Sequence, residues 1–67
     1  MTAEQTEMVA CLLANPKQVW LTSPFGSNAV FLERLEAEGL AEEVDSPLET
    51  LVGYRLTQAG RQAFLKN

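Results

Sequence analysis

The sequence predicts a small α+β domain, and three observations support this. Apolar residues recur at helical spacing near the start, in the middle and near the end of the chain, but alternate with a period of two between about residues 40 and 56. The composition, with 46% apolar and 21% charged residues, is typical of a globular chain. Since 67 residues suffice for one domain only, we expect a single domain over residues 1–67.

The first helix is predicted over roughly residues 3 to 14. Thr2 and Gln5 have the spacing of a capping box, which favours a helix start at this point. Pro16 ends the helix, because the residue before a proline is disfavoured in the helical region. The stripe expected to face the core consists of Met8, Cys11 and Leu12, widened by Val9 and Leu13.

The connector, residues 16–27, leaves two structures open. Its short apolar run, residues 19–21, fits either a strand or one helical turn, because periodicity cannot separate them over so few residues. Ser23-Pro24 has the form of an N-cap followed by a proline at the first helical position, which favours an abbreviated helix. We expect Trp20 and Phe25 to fill the core here, and the alternative is an exposed aromatic patch for a partner.

The next helix is predicted to begin with Ser27 or Asn28 as its N-cap and to end at Glu38. Gly39 stands where a left-handed glycine ends a helix, and Leu40 follows at the position whose side chain contacts the last turn in a Schellman motif. The buried stripe of this helix is predicted to be Phe31, Leu32 and Leu35.

A β-hairpin and a last helix complete the prediction. Residues 40–44 and 51–56 alternate in polarity, and the turn residues between them indicate a loop over about 45 to 50. Thr57 is expected to cap the last helix, and Gly60 to mark a close approach of another segment. Tyr54 is expected to pack on the inner face of the hairpin with its hydroxyl at the edge, and the last helix carries Ala59, Ala63 and Phe64.

Two segments carry a resemblance to a known family. LERLEAEGL at 32–40 and YRLTQAGRQAF at 54–64 resemble parts of bacterial winged helix-turn-helix regulators of the multiple-antibiotic-resistance repressor type. The first segment resembles the end of the recognition helix, and the second resembles the returning wing strand and the helix after it. The resemblance implies a small winged helix: a three-helix core with an abbreviated second helix, a β-hairpin wing and a C-terminal helix.

The resemblance also implies a function, namely binding of double-stranded DNA by a small transcriptional regulator. In that family the recognition helix enters the major groove, leading with its N-terminal side chains. The residues that match by position and could contact phosphates or base edges are Ser27, Asn28, Arg34 and, from the wing strand, Arg55. Ala29 and Val30 are implied to offer methyl contacts with thymine.

The charge distribution supports a second hypothesis, a protein-interaction module. Residues 33–49 hold seven acidic residues against Arg34 alone, a net charge of −6, whereas residues 50–67 carry three basic residues and no acid. Such a surface suits a basic partner, and its pairing with the basic end would also allow a homodimer. The candidate partner contacts are Trp20, Phe25, Glu36, Glu42 and Glu43.

The residue inventory argues against an enzyme. The chain has no histidine and one cysteine, which excludes Ser-His-Asp and Cys-His catalysis and every zinc site that needs imidazole. We therefore predict no cofactor, no metal and no small-molecule substrate. No run of 18 apolar residues is present, and the acidic N-terminal residues are unlike a secretory signal, so we expect a cytoplasmic protein without a membrane span.

Overall fold

A computed structural model describes residues 1–66 and gives them three helices and a three-stranded antiparallel sheet. The α+β class is therefore confirmed. The elements, in chain order, are α1 (Ala3–Ala14), β1 (Trp20–Thr22), α2 (Ser27–Ala37), β2 (Ala41–Val44), β3 (Val52–Leu56) and α3 (Gln58–Leu65).

Helix α1 has the predicted bounds and the predicted start. The Gln5 backbone N–H donates to Thr2 Oγ1 at 3.1 Å, and the Thr2 N–H donates to Gln5 Oε1 at 2.9 Å, so both bonds of the capping box form. The expectation that Cys11 is a core residue is wrong, because its side chain is exposed. The buried face is rotated away from Cys11 and consists of Met8, Val9 and Leu12.

The connector forms a strand and a turn, so the abbreviated second helix is not found among the described residues. β1 pairs with β3, which places Trp20 opposite Tyr54. A turn follows, in which the Gly26 N–H donates to the carbonyl oxygen of Ser23 at 3.2 Å. The strand form is favoured because β3 supplies backbone partners that one isolated helical turn would lack.

The N-cap of helix α2 lies one residue before the first of its two predicted caps. Gly26 is the N-cap, without a side-chain cap, and the expected roles of Ser27 and Asn28 as caps are therefore wrong. The predicted C-terminus is confirmed: Glu38 is the C-cap, and Gly39 follows with a φ of 78°, in the left-handed region that glycine adopts most readily.

The corner after α2 is a Schellman motif. The Gly39 N–H donates to the Glu36 carbonyl oxygen at 2.9 Å, and the Leu40 N–H donates to the Leu35 carbonyl oxygen at 2.8 Å. This turns the chain directly into β2.

The sheet has the strand order β1-β3-β2, so β3 is its central strand. The predicted hairpin is confirmed, with Ala41 opposite Leu56 and Glu43 opposite Tyr54. Ala41, Tyr54 and Leu56 are buried on the face that packs on the helices, whereas Arg55 is exposed on the opposite face.

Helix α3 is locked onto the corner after α2. Thr57 caps it as predicted: its Oγ1 accepts from the Gly60 N–H at 3.0 Å and donates to the Gly39 carbonyl oxygen at 2.7 Å. A Cβ at Gly60 would stand 1.8 Å from the carbonyl oxygen of Leu40, so the predicted close approach is confirmed. Ala59 and Ala63 of this helix are both exposed.

The core lies between the sheet and the three helices. Its most completely buried large side chains are Met8, Leu12, Leu32 and Tyr54. Trp20 and Phe64 are partly buried and pack against this core, as predicted for Trp20. The core of the described residues contains no buried charged or polar residue.

Candidate interaction surfaces

Two of the basic side chains in the C-terminal third are engaged within the fold. Arg55, which the resemblance assigns to DNA, forms an ion pair with Glu42 directly opposite it, and both side chains are about half exposed. Arg61 donates from its two terminal nitrogens to the carbonyl oxygens of Leu12 and Leu13 at 3.0 and 2.9 Å. These carbonyls end α1, where helical partners are lacking and a positive charge is favourable.

The outward face of α2 holds only some of the residues that the resemblance assigns to DNA. Ser27 and Arg34 are exposed there. The Asn28 side-chain amide instead donates to the Glu4 carboxylate of α1 at 2.9 Å. Ala29 is 1% exposed, because it lies on the same stripe as the buried leucines of α2, so its implied contact with thymine is wrong.

An open groove of about 460 Å³ runs along α2 beside the N-terminal end of α1; we call it the α2 groove. Apolar side chains supply half of its lining residues, and Arg34 is the one charged side chain among them. An open, partly apolar groove along an exposed helix is suited to a protein contact. The lining residues are Met1, Gln5, Ser27, Val30, Phe31 and Arg34.

Phe25 projects from the turn before α2 and is 96% exposed. With Gly26 as N-cap, Phe25 and Val30 occupy the two positions whose side chains pack together in a hydrophobic staple. Val30 is 52% exposed and Phe25 almost fully exposed, so the staple is open. The expectation that Phe25 fills the core is wrong, and the alternative of an exposed aromatic residue holds for it, whereas Trp20 packs against the core.

The candidate acidic contacts divide between two faces of the sheet. Glu42 lies on the outer face with Arg55. Glu36 and Glu43 lie together on the α2 side, where Glu36 Oε2 accepts a hydrogen bond from the Glu43 backbone N–H at 3.1 Å. Burial raises the pKa of Tyr54, and the negative charges of Glu43, Glu33 and Glu36 raise this pKa further.

Sequence reasoning missed two of these arrangements. The cap that Arg61 places on α1 joins residues far apart in the chain, and no local pattern signals it. The proximity of Glu43 to Tyr54 follows from the register of the hairpin. The length of the hairpin loop sets this register, and the sequence gives the ends of the loop only approximately.

Comparison with protein-family models, with curated proteins and with solved structures gives no match for this chain. Residues 1–66 contain no group of three or more acidic or cysteine side chains placed to hold a metal ion. None of the helices in this part of the chain has the length and hydropathy needed to cross a bilayer.

Proposed function

We propose that this domain is a winged helix that binds a protein partner. The order of elements supports the winged-helix assignment, with α2 in the position of the recognition helix and the β2–β3 hairpin as the wing. The segments that resemble the repressor family lie accordingly: residues 32–40 run from α2 through the Schellman corner, and residues 54–64 run from β3 into α3.

The exposure of Phe25 is the observation that carries the protein-binding function. Burying a phenylalanine side chain is worth about 2 kcal/mol, and this one contributes almost none of that to the fold. Because the staple with Val30 is open, both side chains are available to a partner. Aromatic residues are enriched in protein interfaces, and Val30, the staple position paired with Phe25, lines the α2 groove.

Charge complementarity defines the chemistry of this partner. The acidic residues of 33–49 are exposed or half-buried, and within residues 1–66 only Glu42 among them is in an ion pair. A partner with a basic surface and an apolar pocket for Phe25 would therefore fit this domain.

A selection of peptides from a random library tests this proposal. We expect the selected peptides to carry lysine or arginine together with apolar residues. They should bind the Phe25→Ser variant at least roughly tenfold more weakly than the wild type, because the apolar anchor is removed. Leu48→Ser is the matched control: Leu48 is also an exposed apolar residue, 51% exposed, but lies in the hairpin loop.

Affinity would be measured by calorimetry on variants whose unfolding midpoints equal that of the wild type. Equal binding of the selected peptides to the wild type and to Phe25→Ser would contradict the proposal, and so would peptides without basic residues.

DNA binding is a second candidate, favoured by one observation. Ser27 and Arg34 are both exposed on α2 and line the same open groove, as side chains that contact a phosphate backbone would. The acidic side chains that follow Arg34 on α2 and β2 argue against DNA binding, because they repel phosphates.

Fluorescence anisotropy of a labelled mixed-sequence duplex separates the two functions. The titration would be run at ~20 mM and at ~150 mM salt, because binding through phosphates weakens steeply as salt rises. We expect no binding at ~100 μM protein in low salt. Binding that falls with salt, and that Arg34→Gln reduces, would favour the DNA function instead.

A further inference from the structure

Three carboxylates surround one buried tyrosine where α2 meets β2. Glu43 on β2 is directly opposite Tyr54 on β3, and side chains paired in this way lie on the same face of the sheet. Glu36 reaches the same place from α2, because its carboxylate accepts a hydrogen bond from the Glu43 N–H at 3.1 Å. Glu33 lies one turn earlier on α2, and its charge acts on the Tyr54 hydroxyl together with those of the other two carboxylates.

The Tyr54 hydroxyl faces these carboxylates and has no hydrogen-bond partner within residues 1–66. Tyr54 is 2% exposed, yet within residues 1–66 its hydroxyl makes no hydrogen bond. Every fully buried side-chain polar atom of those residues does have a partner, so the hydroxyl must be the part of Tyr54 that reaches solvent. The Tyr54 hydroxyl is therefore accessible from solvent and can accept a hydrogen bond from a bound cation.

No basic side chain of the described residues neutralises these carboxylates. The one ion pair of residues 1–66 is between Arg55 and Glu42, on the opposite face of the sheet. Arg61 is held at the end of α1, and Arg34 lines the α2 groove on the side of α1. The group therefore keeps its negative charge and is available to a cation from outside the domain.

The chemistry of the acceptors favours one kind of cation. Residues 1–66 hold no group of three or more acidic or cysteine side chains arranged to bind a metal ion. A guanidinium is larger and planar and has five N–H donors, so it can bridge acceptors on several side chains at once. Hydrogen bonds between a guanidinium and carboxylates are also among the stronger ones in proteins.

We propose that Glu33, Glu36, Glu43 and the Tyr54 hydroxyl form a site for an arginine side chain of the partner; we call it the arginine site. The carboxylates accept the guanidinium N–H groups and balance its charge, and the hydroxyl oxygen accepts one further N–H. The site rests on the proposed function only for the source of the arginine, since its affinity for a guanidinium is a property of this chain alone.

An NMR titration of the ¹⁵N-labelled protein with an end-blocked tri-arginine peptide tests the site. We expect the shifts to concentrate at the four residues of the arginine site. Tyr54→Phe removes the hydroxyl without changing the charge and should weaken binding by roughly tenfold or more, as the loss of a hydrogen bond to a charged group does.

A charge-matched pair of double variants separates the site from the general field of an acidic protein. Glu33→Gln with Glu43→Gln should weaken binding roughly tenfold, because two ion pairs are lost. Glu7→Gln with Glu49→Gln removes the same charge from exposed residues of α1 and the hairpin loop, and should change binding less than about twofold. Equal losses in the two double variants, or an unchanged affinity in Tyr54→Phe, would overturn the proposal.

The same titration on Phe25→Ser distinguishes this site from the function proposed above. Phe25 lies before α2, outside the arginine site, so this variant should bind tri-arginine as the wild type does. Loss of the selected peptides with tri-arginine binding intact supports both proposals. Tri-arginine binding that disappears in Phe25→Ser would contradict the arginine site and leave Phe25 as the contact.

Discussion

Tyr54 contributes to the core through its ring and lies in a negatively charged environment at its hydroxyl. Its ring is part of the core, whereas its hydroxyl faces the carboxylates of Glu33, Glu36 and Glu43. Both burial and these charges disfavour the phenolate, so the pKa of Tyr54 is raised above its ordinary value of 10.0. The unfolded chain lacks this environment and loses its phenolic proton at lower pH than the folded protein.

Stability is therefore expected to depend on Tyr54 at high pH. Below pH 10.0 the phenol is protonated in both states, and the full stability is present. As pH rises from there through the raised pKa, the unfolded state binds fewer protons than the folded state, so the free energy of unfolding falls. Urea unfolding of wild type and Tyr54→Phe at several pH values measures this. Curves that stay parallel above pH 10 would contradict it.

At the scale of elements, Gly39 and Gly60 require glycine for different physical reasons. Gly39 has a left-handed backbone, but a Cβ there would meet nothing within 4 Å. Gly60 lies inside α3, and a Cβ there would clash with the backbone of Leu40. The first requirement is conformational and the second is steric.

Alanine substitutions should separate these requirements. Gly60→Ala should reduce the free energy of unfolding by about 3 kcal/mol, since backbone atoms must move apart. Gly39→Ala should cost about 1–2 kcal/mol, the strain of a left-handed residue with a side chain. Urea denaturation measures both. A Gly60→Ala variant more stable than wild type, as helix propensity alone would predict, would refute the steric explanation.

Local chemistry explains which elements the sequence predicts well. The start of α1 and the C-terminal end of α2 depend on contacts within a few residues, Thr2 with Gln5 and Gly39 with Glu36, so they can be predicted from the local sequence. The form of β1 depends on its pairing with β3, and nothing within residues 16–27 contains that information.

The candidate sites likewise combine features that the local sequence predicts with features that depend on contacts between distant residues. Phe25 was recognisable as an aromatic residue in an irregular segment, but its exposure depends on how the turn places it relative to Val30. The acidic stretch was evident from the sequence, whereas the inclusion of Tyr54 required the cross-strand register.

At the scale of the whole molecule, Arg61 joins the last helix to the first. Its guanidinium is partly buried and replaces the missing partners of two α1 carbonyls. The cap adds to the packing between α1 and α3, which are far apart in the chain.

Arg61→Met should lower the free energy of unfolding by about 1–2 kcal/mol, because the partly buried positive charge that caps the C-terminal end of α1 is lost. Lys17→Met removes the same charge from an exposed residue of the connector and should change the free energy of unfolding by less than about 0.5 kcal/mol. Thermal unfolding followed by circular dichroism compares the two variants. Equal losses would show that net charge, rather than the cap, is responsible.

The central position of β3 has a consequence for the order in which the chain can fold. Within residues 1–66, β1 pairs with β3 and with no other strand, and α1 has its most extensive contacts with β3 and α3. The first strand and the first helix thus find their main partners only in residues 52–65. During synthesis the N-terminal elements must wait for the C-terminal ones to emerge, so folding on the ribosome is expected to be a late and concerted event rather than a stepwise one.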